Sequence, residues 1–191
     1  MAAREAGEEL RAGAVALVPT DTVVGLAAGE AGLFRLAGIK RRDPGKPVAA
    51  LCASPEEAFS LAASVPSLAR ELARRLWPGP LTLVLDATDG GTVGVRVPDH
   101  AVVREVLAAY GGPLYATSAN LAGEAAPTSL AEVGEEISQA ADLAVEGEAG
   151  GGEASAVVDL SGGGARLLRG TRWLTDESLA RVSRAVAEAR E

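Results

Sequence analysis

The chain has 191 residues, 48% hydrophobic and 23% charged, with a net charge of −8. That length fits one domain with a buried core, and the acid excess argues against a strong nucleic-acid surface, which depends on neutralising many phosphates. One cysteine, Cys52, and one histidine, His100, exclude an internal disulfide, a thiolate zinc cluster and a multi-histidine metal site.

The opening segment Met1–Leu10 carries acids where a signal peptide needs an apolar core, so no export signal is expected. Ala14–Val18 then reads as a buried strand, Leu33–Ile39 as a short helix and Val48–Cys52 as a second strand. Two helices follow, Pro55–Ala63 and Ser67–Leu76, the first with Ser54 in the capping position and Pro55 at the first helical residue. Leu81–Leu85 and Val93–Val97 read as strands joined through Asp86–Thr92, where Asp89-Gly90-Gly91 marks a turn. Next come a helix over Asp99–Ala109, a strand at Leu114–Thr117 and a helix near Leu130–Gln139. Short strands near Leu143, Ala156–Leu160 and Leu167 precede a terminal helix from Asp176 to about Ala189. The longest apolar runs have about five residues, far short of the ~18 needed to cross a bilayer, so a cytoplasmic protein with no membrane partner is expected.

Such alternation predicts an α/β fold: a single domain with a twisted, open sheet flanked by helices. Hairpin-like spacing between several strands predicts a mixed sheet, parallel and antiparallel. Gly147–Gly152 holds four glycines in six residues and is expected to be a loop over a site, not a linker between domains.

The polar residues sit where ligands bind in such sheets, in loops beyond strand ends. Pro19-Thr20-Asp21-Thr22 follows the first strand, and Thr117-Ser118-Ala119-Asn120 follows the strand at Leu114. Lys40-Arg41-Arg42-Asp43-Pro44-Gly45-Lys46-Pro47 places four cations in eight residues of an acidic chain, which points to a small anion such as a phosphate, a nucleotide or a carboxylate. Lys40 and Arg42 could equally close the preceding helix. Arg96 stands inside apolar Val93–Val97, a costly place for a charge unless it is paired or binds something. Thr20 or Asp21 could serve only to cap a turn. Trp77-Pro78-Gly79-Pro80 reads as architecture, a helix end and a turn that launches the next strand. No glycine-rich phosphate loop of either standard pattern is present, and no serine lies in a Gly-x-Ser-x-Gly elbow. His100 is expected at a helix start.

Six blocks together resemble the YrdC/Sua5 family in content and order. They are Pro19–Leu26, Lys40-Arg41-Arg42, Trp77–Thr82, Val95–Pro98, Thr117–Asn120 and Ser155–Asp159. Arg169-Gly170 is similar to the arginine segment that closes the family's catalytic domain. The resemblance covers about residues 10–170 and implies one catalytic domain, of the short type without the extra C-terminal domain of longer members. Valine at 24, leucine at 51 and alanine at 156 stand where members often have tyrosine, histidine and threonine, so the threonine side of the pocket should differ in detail.

The resemblance implies synthesis of threonylcarbamoyl-AMP and pyrophosphate from L-threonine, bicarbonate or CO2, and ATP, toward N6-threonylcarbamoyladenosine at position 37 of tRNA. Catalysis would fall to Lys40, Arg42, Ser118 and Asn120. ATP would be bound by Arg42, Lys46, Thr92, Ser118, Asn120, Ala126 and Arg169. Threonine would be bound by Thr22, Arg96, Ala116, Thr117 and Ser155, with Arg96 clamping its carboxylate. Mg2+ would ride on the ATP phosphates and water, as no carboxylate cluster is visible to hold it. The product would pass to a protein that transfers the threonylcarbamoyl group to tRNA, with weak or no direct nucleic-acid binding. Two rival readings remain: a double-stranded RNA-binding module of the same fold, and a related carbamoyl-adenylate enzyme.

Overall fold

Val15–Pro19 (β1) shows no polar alternation because both of its faces are covered, and all five residues are buried. Val24–Ala28 (β2) is buried throughout in the same way and pairs with it antiparallel. The computed structural model describes residues 1–40 and 48–189. Arg42 and Lys46 therefore lie outside the described residues.

Among the described residues nine strands form one sheet. After β1 and β2 come Ala49–Leu51 (β3), Leu81–Asp86 (β4), Thr92–Arg96 (β5), Leu114–Ser118 (β6), Leu143–Ala144 (β7), Ala156–Asp159 (β8) and Arg166–Arg169 (β9). Their order is β7-β1-β2-β6-β3-β5-β4-β8-β9. The pairs β1/β7, β3/β5 and β4/β8 are parallel and the other five antiparallel, which makes the expected mixed, open sheet.

Helices cover the sheet unevenly. Ala3–Arg11 (α1) and Ala101–Tyr110 (α5) pack together over one face of β1 and β6, burying Leu10, Val103, Val106 and Leu107. Leu33–Ile39 (α2) and Glu135–Ala140 (α6) cover the opposite face of β1 and β2 with Leu36 and Ile137. Pro55–Ser60 (α3), Ser67–Leu76 (α4) and Asp176–Glu188 (α7) cover the other half, where Leu72, Trp77 and Leu179 meet Leu81, Leu83 and Leu85 of β4. Each such leucine contributes ~1.5–3 kcal/mol by leaving water. Successive strand residues point to opposite faces. With Leu81, Leu83 and Leu85 in this core, Thr82 and Val84 face the other way, onto a side that carries the cavity described below.

Local signals account for several boundaries. Ser54 Oγ accepts from Glu57 N at 3.2 Å and Pro55 opens α3, as its sequence predicts. That helix stops at Ser60 instead of Ala63, because Ala62 and Ala63 bond back to the β4 end through Ala87 and Asp86. The segment near Leu130–Gln139 splits into a 3-10 turn, Leu130–Glu132, and α6, with Val133 and Gly134 extended between them. A reciprocal cap between Thr175 and Ser178 starts α7. No described helix is long and apolar enough to cross a membrane.

Candidate functional site

The side of β4, β5 and β8 turned away from the α3/α4/α7 core lines an open cavity of about 310 Å³. Its wall takes Thr82 and Val84 from β4, Gly94 and Arg96 from β5, and Ser155 and Val157 beside and on β8. Residues Ala116–Ser118 of β6, Thr20 and Thr22 of the loop after β1, and Leu168 and Arg169 of β9 complete it. Strand alternation thus delivers every second residue of three adjacent strands to one surface.

Arg96 is the anchor. Its side chain is only 7% exposed and its Nη2 donates to Asp21 Oδ1 at 2.6 Å. Nη1 donates to Thr22 Oγ1 at 3.1 Å and Nε to the Gly79 carbonyl at 3.2 Å. A guanidinium carries five N–H donors; this clamp leaves one N–H on each terminal nitrogen. The Trp-Pro-Gly-Pro turn fixes the third acceptor. Trp77 is buried against Phe59, donates from Nε1 to the Leu81 carbonyl at 2.7 Å, and leaves Gly79 bonded to Val97 O at 2.8 Å. A Cβ on Gly79 would fall 2.6 Å from the Leu76 carbonyl, so the tight turn that aims its own carbonyl at Arg96 demands glycine.

The Thr20–Thr22 loop is held from both sides. Thr20 Oγ1 donates to Val23 O at 2.8 Å and accepts from the amides of Thr22 and Val23, closing a hydroxyl turn. Across it lies the glycine-rich segment, with Gly150 N on Thr20 O at 2.8 Å and Gly152 N on Thr22 O at 3.0 Å. His100 sits at the start of α5, and its Nε2 donates to Glu148 O at 2.9 Å, a strut for the same segment. The expected loop over a site is therefore a strap bonded to the backbone that carries Thr22 and Asp21.

Arg169 lines the same cavity as Arg96. It donates to the Ser155 carbonyl at 2.6 Å and to Ser155 Oγ at 3.1 Å, and no carboxylate among the described residues pairs with it. Burial, and secondarily the Arg96 guanidinium, draws the Arg169 pKa below its ordinary value. Two guanidinium groups line the cavity, while Asp21, the carboxylate paired with Arg96, is not on the wall, so the surface is one that an anion would relieve. Lys40 is also buried, and its Nζ donates to the Ser118 carbonyl at 2.6 Å from the end of α2.

Of the residues singled out from sequence, Thr22, Arg96, Ala116, Thr117, Ser118, Ser155 and Arg169 line the cavity together. Lys40 reaches it through Thr117 and Ser118. Thr92 is exposed at the outer end of β5, on the face of Gly94 and Arg96. Asn120 Nδ2 ties its own loop through Leu121 O and Glu124 O, and its Oδ1 is buried without a partner among the described residues. Ala126 precedes Pro127, whose carbonyl accepts from Val24 N at 2.8 Å; neither Asn120 nor Ala126 is on the cavity wall. Asp21 was read only as a possible turn cap and Thr82 only as the end of a motif block, neither as a site residue. The readable signal for Thr82 was the one used for Arg96, a polar residue within an apolar strand.

The cavity wall presents no cysteine, histidine or carboxylate among the described residues. Cys52 lies in the core, its thiol pushed up to about 12 by burial. No described group of three or more histidine, cysteine or carboxylate side chains could hold a metal. What remains is placement and fixed positive charge.

The family profile Sua5/YciO/YrdC, described as "Telomere recombination", matches residues 8–171. The chain is 39% identical to the mouse threonylcarbamoyl-AMP synthase over 144 residues, covering 69% of this chain and 50% of that one. It is 35% identical to the threonylcarbamoyl-AMP synthase of Chromohalobacter salexigens over 169 residues, covering 81% of this chain and 90% of that one. The solved structure of Pyrococcus abyssi Sua5 complexed with L-threonine superposes with a TM-score of 0.85 at 33% identity, covering 94% of this chain and 56% of that one. The chain spans about half the length of the first curated relatives it matches.

Proposed function

This chain belongs to the Sua5/YciO/YrdC family, and from that membership we propose that it is an L-threonylcarbamoyladenylate synthase. Threonine's amine captures CO2 as a carbamate. A carbamate oxygen then attacks the α-phosphorus of ATP, pyrophosphate leaves, and threonylcarbamoyl-AMP remains for transfer to tRNA by a further protein.

The observation that carries this reading is the incomplete use of Arg96. Three fixed oxygens hold its guanidinium still, and one N–H on each terminal nitrogen is left over. That is the donor set a carboxylate takes through two parallel bonds. Arg169 lines the same cavity with no carboxylate partner among the described residues, suited to a phosphate. Two anions that repel in water are thereby held side by side, with Thr22, Ala116, Thr117 and Ser155 around the amino acid. Lys40, Ser118 and Arg169 lie toward the nucleotide. Arg42, Lys46, Thr92, Asn120 and Ala126 are assigned to ATP by resemblance alone. Magnesium, as the ATP complex, would supply charge neutralisation on the phosphates, held by them and by water.

The test is pyrophosphate release by the purified chain. Release from ATP should require L-threonine and bicarbonate together, with threonylcarbamoyl-AMP identified by mass. Release with carbamoyl phosphate in their place would mark a carbamoyl-adenylate enzyme of another kind. No release under any of these conditions, with tight and salt-sensitive binding of double-stranded RNA, would replace the enzymatic reading altogether.

A further inference from the structure

Thr82 is a buried hydroxyl near the start of β4, between Leu81 and Leu83, 6% exposed and turned to the cavity. Among the described residues its hydroxyl has one hydrogen-bond partner, Ser155 Oγ at 2.9 Å. Ser155 is itself 5% exposed and on the cavity wall. Thr82 lies on β4 and Ser155 just before the adjoining β8, with Thr82 in register with Val157, two residues beyond Ser155.

Proton counting leaves this contact two arrangements. A serine hydroxyl accepts twice and donates once. Arg169 Nη2 can only donate, so it fills one lone pair of Ser155 Oγ. If Thr82 donates as well, both lone pairs are filled and the serine proton is left for the cavity. If Ser155 donates to Thr82, the serine is left with a single lone pair for the cavity and the free proton moves to Thr82. Without Thr82, Arg169 is the one described side chain left bonded to the Ser155 hydroxyl.

We propose that Thr82 is a positioning residue of the amino-acid subsite: together with Arg169 it fixes the orientation of the Ser155 hydroxyl that the bound amino acid meets. This rests on the proposed function for the ligand's identity, but not for the positioning itself. Valine has threonine's shape and suits a strand, so Thr82→Val removes the hydroxyl with little change of packing. Serine at the same place restores it.

Threonine-dependent pyrophosphate release by T82V should show kcat/KM for threonine reduced about tenfold, the scale of one buried hydrogen bond, with KM for ATP within about twofold of wild type. T82S should recover most of the loss. In an S155A background T82V should cost little more, because its effect runs through Ser155. Unchanged threonine kinetics in T82V, or full additivity with S155A, would overturn the proposal; so would equal losses toward threonine and ATP. A crystal structure of ligand-free T82V supplies the arm that needs no activity. Ser155 is expected in a new or mixed rotamer, and an unmoved Ser155 refutes the positioning role whether or not the wild type makes threonylcarbamoyl-AMP. A wild type that makes none, with Ser155 displaced in T82V, would sink the proposed function and leave the positioning standing.

Discussion

Arg96 and Asp21 form a pair in which neither side chain can be removed alone. Both are nearly buried, at 7% and 11% exposed, and Asp21 Oδ2 already lacks a hydrogen-bond partner among the described residues. Breaking a buried pair strands the remaining charge at a cost of about 3–5 kcal/mol. Arg96→Ala should therefore lower stability by that order in urea melts, and Arg96→Ala with Asp21→Ala should be more stable than the single variant. Equal melts for the two would show that Asp21 carries no stranded charge. In the assay, Arg96→Ala should raise the threonine requirement well beyond its effect on ATP; equal losses for both ligands would remove Arg96 from the carboxylate subsite. A stable double variant makes that comparison clean. The sequence showed the arginine as out of place but not its partner, because Asp21 reaches it across 75 residues. Such a pairing is a property of topology, invisible to local pattern.

Elements bounded by local chemistry were legible and those made by tertiary contact were not. The reading of Leu33–Ile39 and of Ser67–Leu76 agrees with α2 and α4 to the residue. By contrast β2, Val-Gly-Leu-Ala-Ala, escaped notice, because glycine and alanine are poor strand formers and burial on both faces erases the alternation. The first helix was hidden as well, since its acids were read only for what they excluded. Its reason lies in α5: a Cβ on Gly7 would stand 2.5 Å from Ala109 Cβ and 2.8 Å from Tyr110 N. Gly7→Ala should thus push the two helices apart and cost about 1–3 kcal/mol in a denaturant melt, despite alanine's better helix propensity. A stabilised G7A would mean that α1 packs elsewhere. The site residues on strands came together because alternation places them so. Thr92, Asn120 and Ala126, chosen by motif, stand off the cavity wall.

Across the whole molecule the helices divide unequally, and the face of β4, β5 and β8 that none of the described helices covers is the one with the guanidinium groups. Cys52 reports on the opposite face. It is fully buried in the core beneath α3 and α4, with its thiol pushed up to about 12, first by burial and then by Glu57. A thiol reagent should leave the native protein unlabelled, and labelling should follow global unfolding in urea; fast labelling without denaturant would place Cys52 at the surface. The sheet order has one more consequence, and it concerns synthesis. Strands β8 and β9 are the last to be made, yet they dock on β4 and bring Ser155 and Arg169 to a wall whose other members are much earlier in the chain. Thr22, Arg96 and Ser118 are therefore synthesised before the residues that complete the wall. A chain cut before residue 169 would lack Arg169 from that wall, so it is expected to bind anions more weakly than the chain that has it.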